Sequence, residues 1–385
     1  MLLCEADDQE GDTWLLLSNE SGKKWLLRSS RLKTSLQIYQ PGSKKGRLLH
    51  RYLPVLFHLA PSLARKALHY TVLRLKMTED FQNVLSGIFG NEIPDCSLFL
   101  GTPGIHSKLT IQFSSGNMIY GYGKTSFSEE VSLLMNHEAE MLERLRRAGY
   151  DRSPRLLSMP VLTSHGKTLP LMIQTTSKIP GARVLHKLTT EHYQALVDLY
   201  ALTAASRPFE QTDYCRDLIL FRHFLATHMD RERTSGLRLT EITDYVISRE
   251  SSFESVTYAA CHGDFTPWNT YMQGKHLMLF DWEYAHESYP EYYDIFHFAI
   301  QTAYHEKHMD EAAIRAYLSG RLLPEISALT QDGPFLLTQY LLGILAMYLT
   351  REKETRRFEE VHPMVGLWMS LLEYYYEESR RQDNA

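Results

Sequence analysis

The side chains best able to do chemistry are concentrated in two short stretches. One runs Cys261-His262-Gly263-Asp264-Phe265-Thr266-Pro267-Trp268-Asn269, the other Phe280-Asp281-Trp282-Glu283. Reduced to polar positions, the pattern is His262-x-Asp264, then Asn269, then Asp281. A carboxylate able to take a proton, followed by an amide oxygen and a second carboxylate able to hold a hard cation, suits phosphoryl transfer. That reaction needs a hydroxyl held in line and phosphates neutralised by metal more than it needs covalent work from the protein. Asp264 is therefore the candidate base, and Asn269 and Asp281 are the candidate magnesium ligands. His262 is a brace facing the core. Tyr271-Met272 and Leu277 to Phe280 flank Gln273-Gly274-Lys275-His276, which predicts a hairpin centred on Lys275 that sets Asn269 beside Asp281.

The elements that must position these residues are legible upstream. Ser97 to Leu100 and Lys108 to Phe113 read as strands around Gly101-Thr102-Pro103-Gly104. Gly101 and Gly104 are candidates for covering nucleotide phosphates, although no G-x-G-x-x-G is present. Met118 to Thr125 reads as a further strand ending at Lys124, the candidate grip on the α- and β-phosphates. Gly123-Lys124-Thr125 is not a P-loop, because the position that motif reserves for its first glycine is Met118. Ser126-Phe127-Ser128-Glu129 has the form of a capping box. Val131, Leu134, Met135, Met141, Leu142 and Leu145 then form an apolar stripe at helical spacing, with Glu138 in its middle. A carboxylate on a buried face is costly unless paired, and Lys124 is the available partner; otherwise Glu138 reaches solvent at the stripe's edge. Leu156 to Leu162 and Leu169 to Gln174 complete a sheet of about five strands. Thr175 to Gly181 is a candidate hinge, with backbone groups at Gln174 and Thr175 offered to a purine. Beyond Thr190 the chain reads as helical, interrupted by the catalytic hairpin.

Composition is that of a globular protein, 44% hydrophobic and 23% charged. Cys4, Cys96, Cys215 and Cys261 are far apart and show no zinc spacing, which predicts reduced thiols in a cytoplasm. No apolar run approaches the ~18 residues of a spanning helix. The net charge of −5 is unevenly placed: Ser21 to Thr78 holds 13 Lys or Arg and no Asp or Glu, whereas 176–385 holds 20 basic and 30 acidic residues. Leu48 to Leu75 reads as helices broken by Pro54 and Pro61. Residues 21–78 are either a basic layer packed on the rest of the protein or a contact with an anionic membrane at the inner surface. No nucleic-acid recognition motif is present.

With Lys124, Glu138, His262 to Asn269 and Asp281-Trp282-Glu283 in that order, the sequence resembles the aminoglycoside phosphotransferase and choline kinase family from about Ser97 onward. The resemblance implies an α+β, two-lobed protein-kinase-like fold. Residues 1–90 would be a basic N-terminal extension and 91–175 a nucleotide-binding N-lobe, a small antiparallel β-sheet with one helix. Residues 176–385 would be a larger, mostly helical C-lobe with the catalytic loop and acceptor site. It also implies ATP or GTP as donor, Mg2+, and Asp294 bracing the catalytic loop from a helix. Two departures argue against a protein kinase: no Lys or Arg lies between Asp264 and Asn269, and no A-P-E follows Asp281. A small hydroxylated acceptor (a sugar, amino sugar or amino alcohol) fits better. A nucleotide-binding pseudokinase and a membrane-surface adaptor in polysaccharide or envelope biosynthesis stay open as alternatives.

Overall fold

The computed structural model describes the chain except residues 1, 8–10, 40–43, 69, 91, 102–103, 105–106, 165–166, 177–181, 229–232, 331, 352–360 and 384–385. It divides into two compact units, Met1–Arg147 with Ser153–Ala182, and Ala148–Arg152 with Arg183–Ala385.

Among the described residues, the first unit is built on one antiparallel sheet of ten strands. These are β1 (Leu3–Glu5), β2 (Asp12–Ser18), β3 (Lys24–Arg28), β4 (Thr71–Met77), β5 (Asp95–Leu100), β6 (Leu109–Ser115), β7 (Met118–Thr125), β8 (Leu156–Ser158), β9 (Val161–Ser164) and β10 (Lys167–Thr175). Their order is β1-β4-β2-β3-β5-β6-β7-β10-β8, with β9 also on β10. Helices α1 (Leu32–Ser35), α2 (Lys44–Leu59), α3 (Pro61–Leu68), α4 (Glu79–Phe89) and α5 (Glu129–Ala148) complete the unit. The expected strands after residue 91 are present, but residues 1–90 do not form a separate extension. Strand β3 pairs β5 from Lys24↔Leu100 to Leu26↔Leu98, so the leader covers what would be an open sheet edge. The helical reading also runs too far. Thr71–Met77 is a strand in which Leu73, Leu75 and Met77 are half-buried while Val72, Arg74 and Lys76 are exposed. That is a period of two, legible in Leu-Arg-Leu-Lys-Met. Part of the basic charge is spent inside the unit, where Arg28 pairs with both Asp12 and Asp95.

The second unit is mostly helical: α6 (Thr190–Thr203), α7 (Asp213–His228), α8 (Arg233–Glu250), α9 (Tyr293–Gln301), α10 (Glu311–Tyr317), α11 (Leu323–Ser327), α12 (Gly333–Arg351) and α13 (Val365–Asp383). A small sheet joins β11 (Ala205–Arg207), β12 (Val256–Cys261) and β15 (His286–Tyr289), and β13 (Thr270–Gln273) pairs β14 (His276–Leu279) as a hairpin. Helix α12 is long and apolar enough to cross a membrane, contrary to the sequence expectation. It is instead 72% buried within the fold, packed among α7, α9 and α13. The four cysteines are free thiols, and burial pushes the Cys215 thiol up to about 11.

Candidate active site

The His262–Asn269 stretch begins where β12 ends. Gly263 takes a left-handed φ of 77°, and a Cβ there would lie 1.9 Å from the Tyr284 carbonyl oxygen, so only glycine can close this turn. Asp294, near the start of α9, accepts from the backbone N–H of His262 at 2.7 Å and of Gly263 at 3.0 Å. Burial pushes the Asp294 carboxyl up, opposed by the neighbouring His262 ring and the two amides. His262 is buried. Its Nδ1 accepts from the Asp264 amide at 3.3 Å, so its Nε2 carries the proton and donates to the Phe280 carbonyl at 3.0 Å. Burial holds its pKa below the ordinary value, which agrees with a neutral brace between the loop and the start of the second motif.

Asp264 is partly exposed, and both its oxygens are held. Asn269 Nδ2 donates to Oδ2 at 2.8 Å and to the Asp264 carbonyl at 3.0 Å. On the other side, His297 Nε2 lies 3.1 Å from Oδ1. A carboxylate can only accept, so Nε2 carries the proton there as well. The far nitrogen of His297, Nδ1, lies 3.3 Å from the hydroxyl of the buried Tyr340 on α12. Neither His297 nor Tyr340 was singled out from the sequence. The signal for His297 was available: Asp294 and His297 are three apart on one helix, so one face of α9 reaches both the loop amides and the Asp264 carboxylate.

The hairpin exists, but its register differs by one from the expectation. Thr270 faces Leu279 and Gln273 faces His276, leaving Gly274-Lys275 as a two-residue turn with Gly274 at φ 62°. Asn269 therefore sits opposite Phe280, whose N–H donates to the Asn269 carbonyl at 3.1 Å, and Asp281 follows one residue later. Asp281 adopts φ 70°, an unfavourable conformation for a side-chain-bearing residue that aspartate tolerates better than most. Asn269 turns its Nδ2 to Asp264, and Oδ1 is the other end of that amide. That oxygen and the Asp281 carboxylate are hard donors of the kind magnesium takes, with phosphate and water completing its shell. The donor set fits the expected ion.

In the first unit, Lys124 and Glu138 are both buried, and Lys124 Nζ lies 2.8 and 2.6 Å from the two Glu138 oxygens. The helix cap is Ser128 rather than Ser126: Ser128 Oγ accepts from the Val131 amide, while Ser126 Oγ accepts from the Ser128 amide. Gln174 lies buried in β10, opposite Tyr122. Thr175 differs from the expectation of open backbone groups. Its N–H donates to the Arg155 carbonyl at 2.8 Å and its hydroxyl accepts from the Arg155 amide at 2.9 Å. The rest of the expected hinge, 177–181, lies outside the described residues. Among the described residues, a Cβ at Gly101 or Gly104 meets nothing within 4 Å. Thr102 and Pro103 of that loop lie outside the described residues.

No family model matches the chain, and no curated protein sequence does. Solved structures similar to it include a thermostable mutant of aminoglycoside phosphotransferase APH(4)-Ia in its apo form. That pair shares 14% identity over 76% of this chain and 98% of that one, at a TM-score of 0.47. Aminoglycoside phosphotransferase APH(2'')-Ib with ADP bound shares 14% identity over 77% and 99%, at 0.43. A glucosamine kinase in complex with glucosamine, ADP and inorganic phosphate shares 16% over 64% and 74%, at 0.36. At these identities and TM-scores the likeness assigns no role to the chain.

Proposed function

We propose that the protein is a phosphotransferase that moves the γ-phosphate of ATP or GTP to a hydroxyl of a small molecule such as a sugar, amino sugar or amino alcohol. The observation that carries this reading is the Asp264 carboxylate, partly exposed yet fixed through both oxygens by Asn269 and His297. A fixed carboxylate can orient an acceptor hydroxyl and take its proton as the bond to phosphorus forms. Asn269 and Asp281 are the residues that would hold magnesium, and the ion would supply neutralisation of the phosphate charge. Lys124, kept in place by Glu138, grips the α- and β-phosphates. Gly101, Gly104, Gln174 and Thr175 are retained as candidate nucleotide contacts. For Thr175 this rests on groups other than the N–H and hydroxyl already bonded to Arg155.

A small acceptor is favoured by the short chain between Asp281 and α9, which leaves no long segment on which a peptide would lie. Trp268, between the base and the metal-binding amide, is 42% exposed. Its edge-on neighbour is His305, at 5.9 Å between ring centres. An exposed indole four residues after the base in the chain suits stacking against a sugar ring. The test is a screen of hydroxylated metabolites with Mg-ATP and with Mg-GTP, read by mass of the phosphorylated product. A product formed by the wild type and lost in Asp264→Asn supports the reading. Product formation at equal rate by both proteins overturns it.

A further inference from the structure

Helix α2 carries more apolar surface than its packing uses. One face supplies buried Leu53 and half-buried Leu56 and Phe57 to the core shared with Leu15, Leu17, Trp25 and Leu27. A second apolar face is left outside. Leu48, Tyr52, Val55 and Leu59 are spaced four, three and four residues apart, which at 3.6 residues per turn puts them within an arc of about 60°. Each is more than half exposed, Leu59 at 81%. On α3, Leu63 is likewise exposed, at 63%. A helix needs one apolar face to pack, so a second, solvent-facing stripe of large side chains marks a contact surface.

Charge says what the contact is. Arg51, Arg65 and Lys66 on the same two helices are exposed, and no Asp or Glu occurs from residue 21 to 78. A second copy of this chain docking by two-fold symmetry would set these cations against themselves. An anionic bilayer accepts both features, the leucines at the acyl boundary and the cations among the headgroups. We propose that the outer face of α2 and α3 is a docking surface for an anionic lipid bilayer. Most of the basic segment is not part of it, since β3 and β4 belong to the sheet and Arg28 is engaged with Asp12 and Asp95. The proposal does not depend on the reaction proposed above.

The test is sedimentation of the full chain with phosphatidylcholine vesicles containing about one-third phosphatidylglycerol, against pure phosphatidylcholine. Pelleting with the anionic vesicles at low salt is expected, weakening as salt is added. Val55→Glu with Leu59→Glu should weaken it at least about tenfold, with an unchanged thermal melt because both sites are exposed. Tyr52→Trp keeps the stripe apolar and gives a second readout, a blue shift of the added indole emission with anionic vesicles only. The proposal is overturned if the wild type stays in the supernatant at low salt, or if the double variant pellets as well as the wild type. An indole that does not shift also overturns it. So does a wild-type dimer that ignores vesicles and is split by the double substitution, which would make the stripe a self-interface.

Discussion

At the scale of residues, the reaction proposed here turns on one carboxylate and what holds it. Asp264→Asn keeps shape and loses charge, so nucleotide affinity should stay within a few-fold while turnover of the true acceptor falls by about 10² or more. Steady-state kinetics with that acceptor decide the matter, and near wild-type turnover would remove Asp264 from the mechanism. His297 is expected to act through Asp264 rather than on substrate. His297→Leu removes the donor to Oδ1, and losing a hydrogen bond to a charged group costs about 1.5–3 kcal/mol. We expect kcat to fall roughly tenfold with the KM for nucleotide unchanged. His297→Gln, which restores an N–H donor, should recover part of the loss. An equal rise in nucleotide KM, with no rescue by glutamine, would point to general disruption of the fold instead.

At the scale of elements, α9 and α6 show how local structure holds buried polar side chains. Helix α9 is buried along its whole length, so Asp294 and His297 approach the loop from a rigid support. Helix α6 begins with a capping box in which His192 Nδ1 accepts from the Thr189 amide at 3.2 Å. Burial pushes the His192 pKa down to about 4. The sign follows from linkage. The unfolded chain takes up a proton near pH 6.5 that the folded chain refuses until about pH 4, so stability is full above that window and is lost as pH falls through it. The slope should be carried in part by His192, up to about 3 kcal/mol across the window. Glutamine is a natural capping-box residue and does not titrate. His192→Gln should therefore fold and show a flatter dependence of Tm on pH between 6.5 and 4. Melting curves that stay parallel at each pH would show that other groups carry the slope.

At the scale of the whole molecule, nucleotide and metal should act as stabilisers. A ligand that binds only the native state at a hundred times its Kd adds about 2.7 kcal/mol. Mg-ATP or Mg-GTP should accordingly raise the Tm by several degrees, and EDTA should abolish the rise. Asp281→Ala, tested as a folded protein, should show no rise at all. A full Mg-dependent shift in that variant would sink the metal assignment. Much of the fold and of the candidate site was legible in the sequence alone, because the candidate residues sit in short-range spacings. His262 to Asn269, the following hairpin, the strand ending at Lys124 and the helix bearing Glu138 are local patterns whose periodicity can be read directly. The tertiary structure decided what depends on distant partners. Sheet pairing of β3 with β5 joins residues more than seventy apart, so the leader looked separable until its register was known. Hairpin register was open by one residue, because a two-residue turn and a longer one fit the same sequence. The spacing of Asp294 and His297 puts them on one helix face, but the contact from Tyr340 to His297 requires α12 to be packed on α9, and no spacing in the chain reports helix packing.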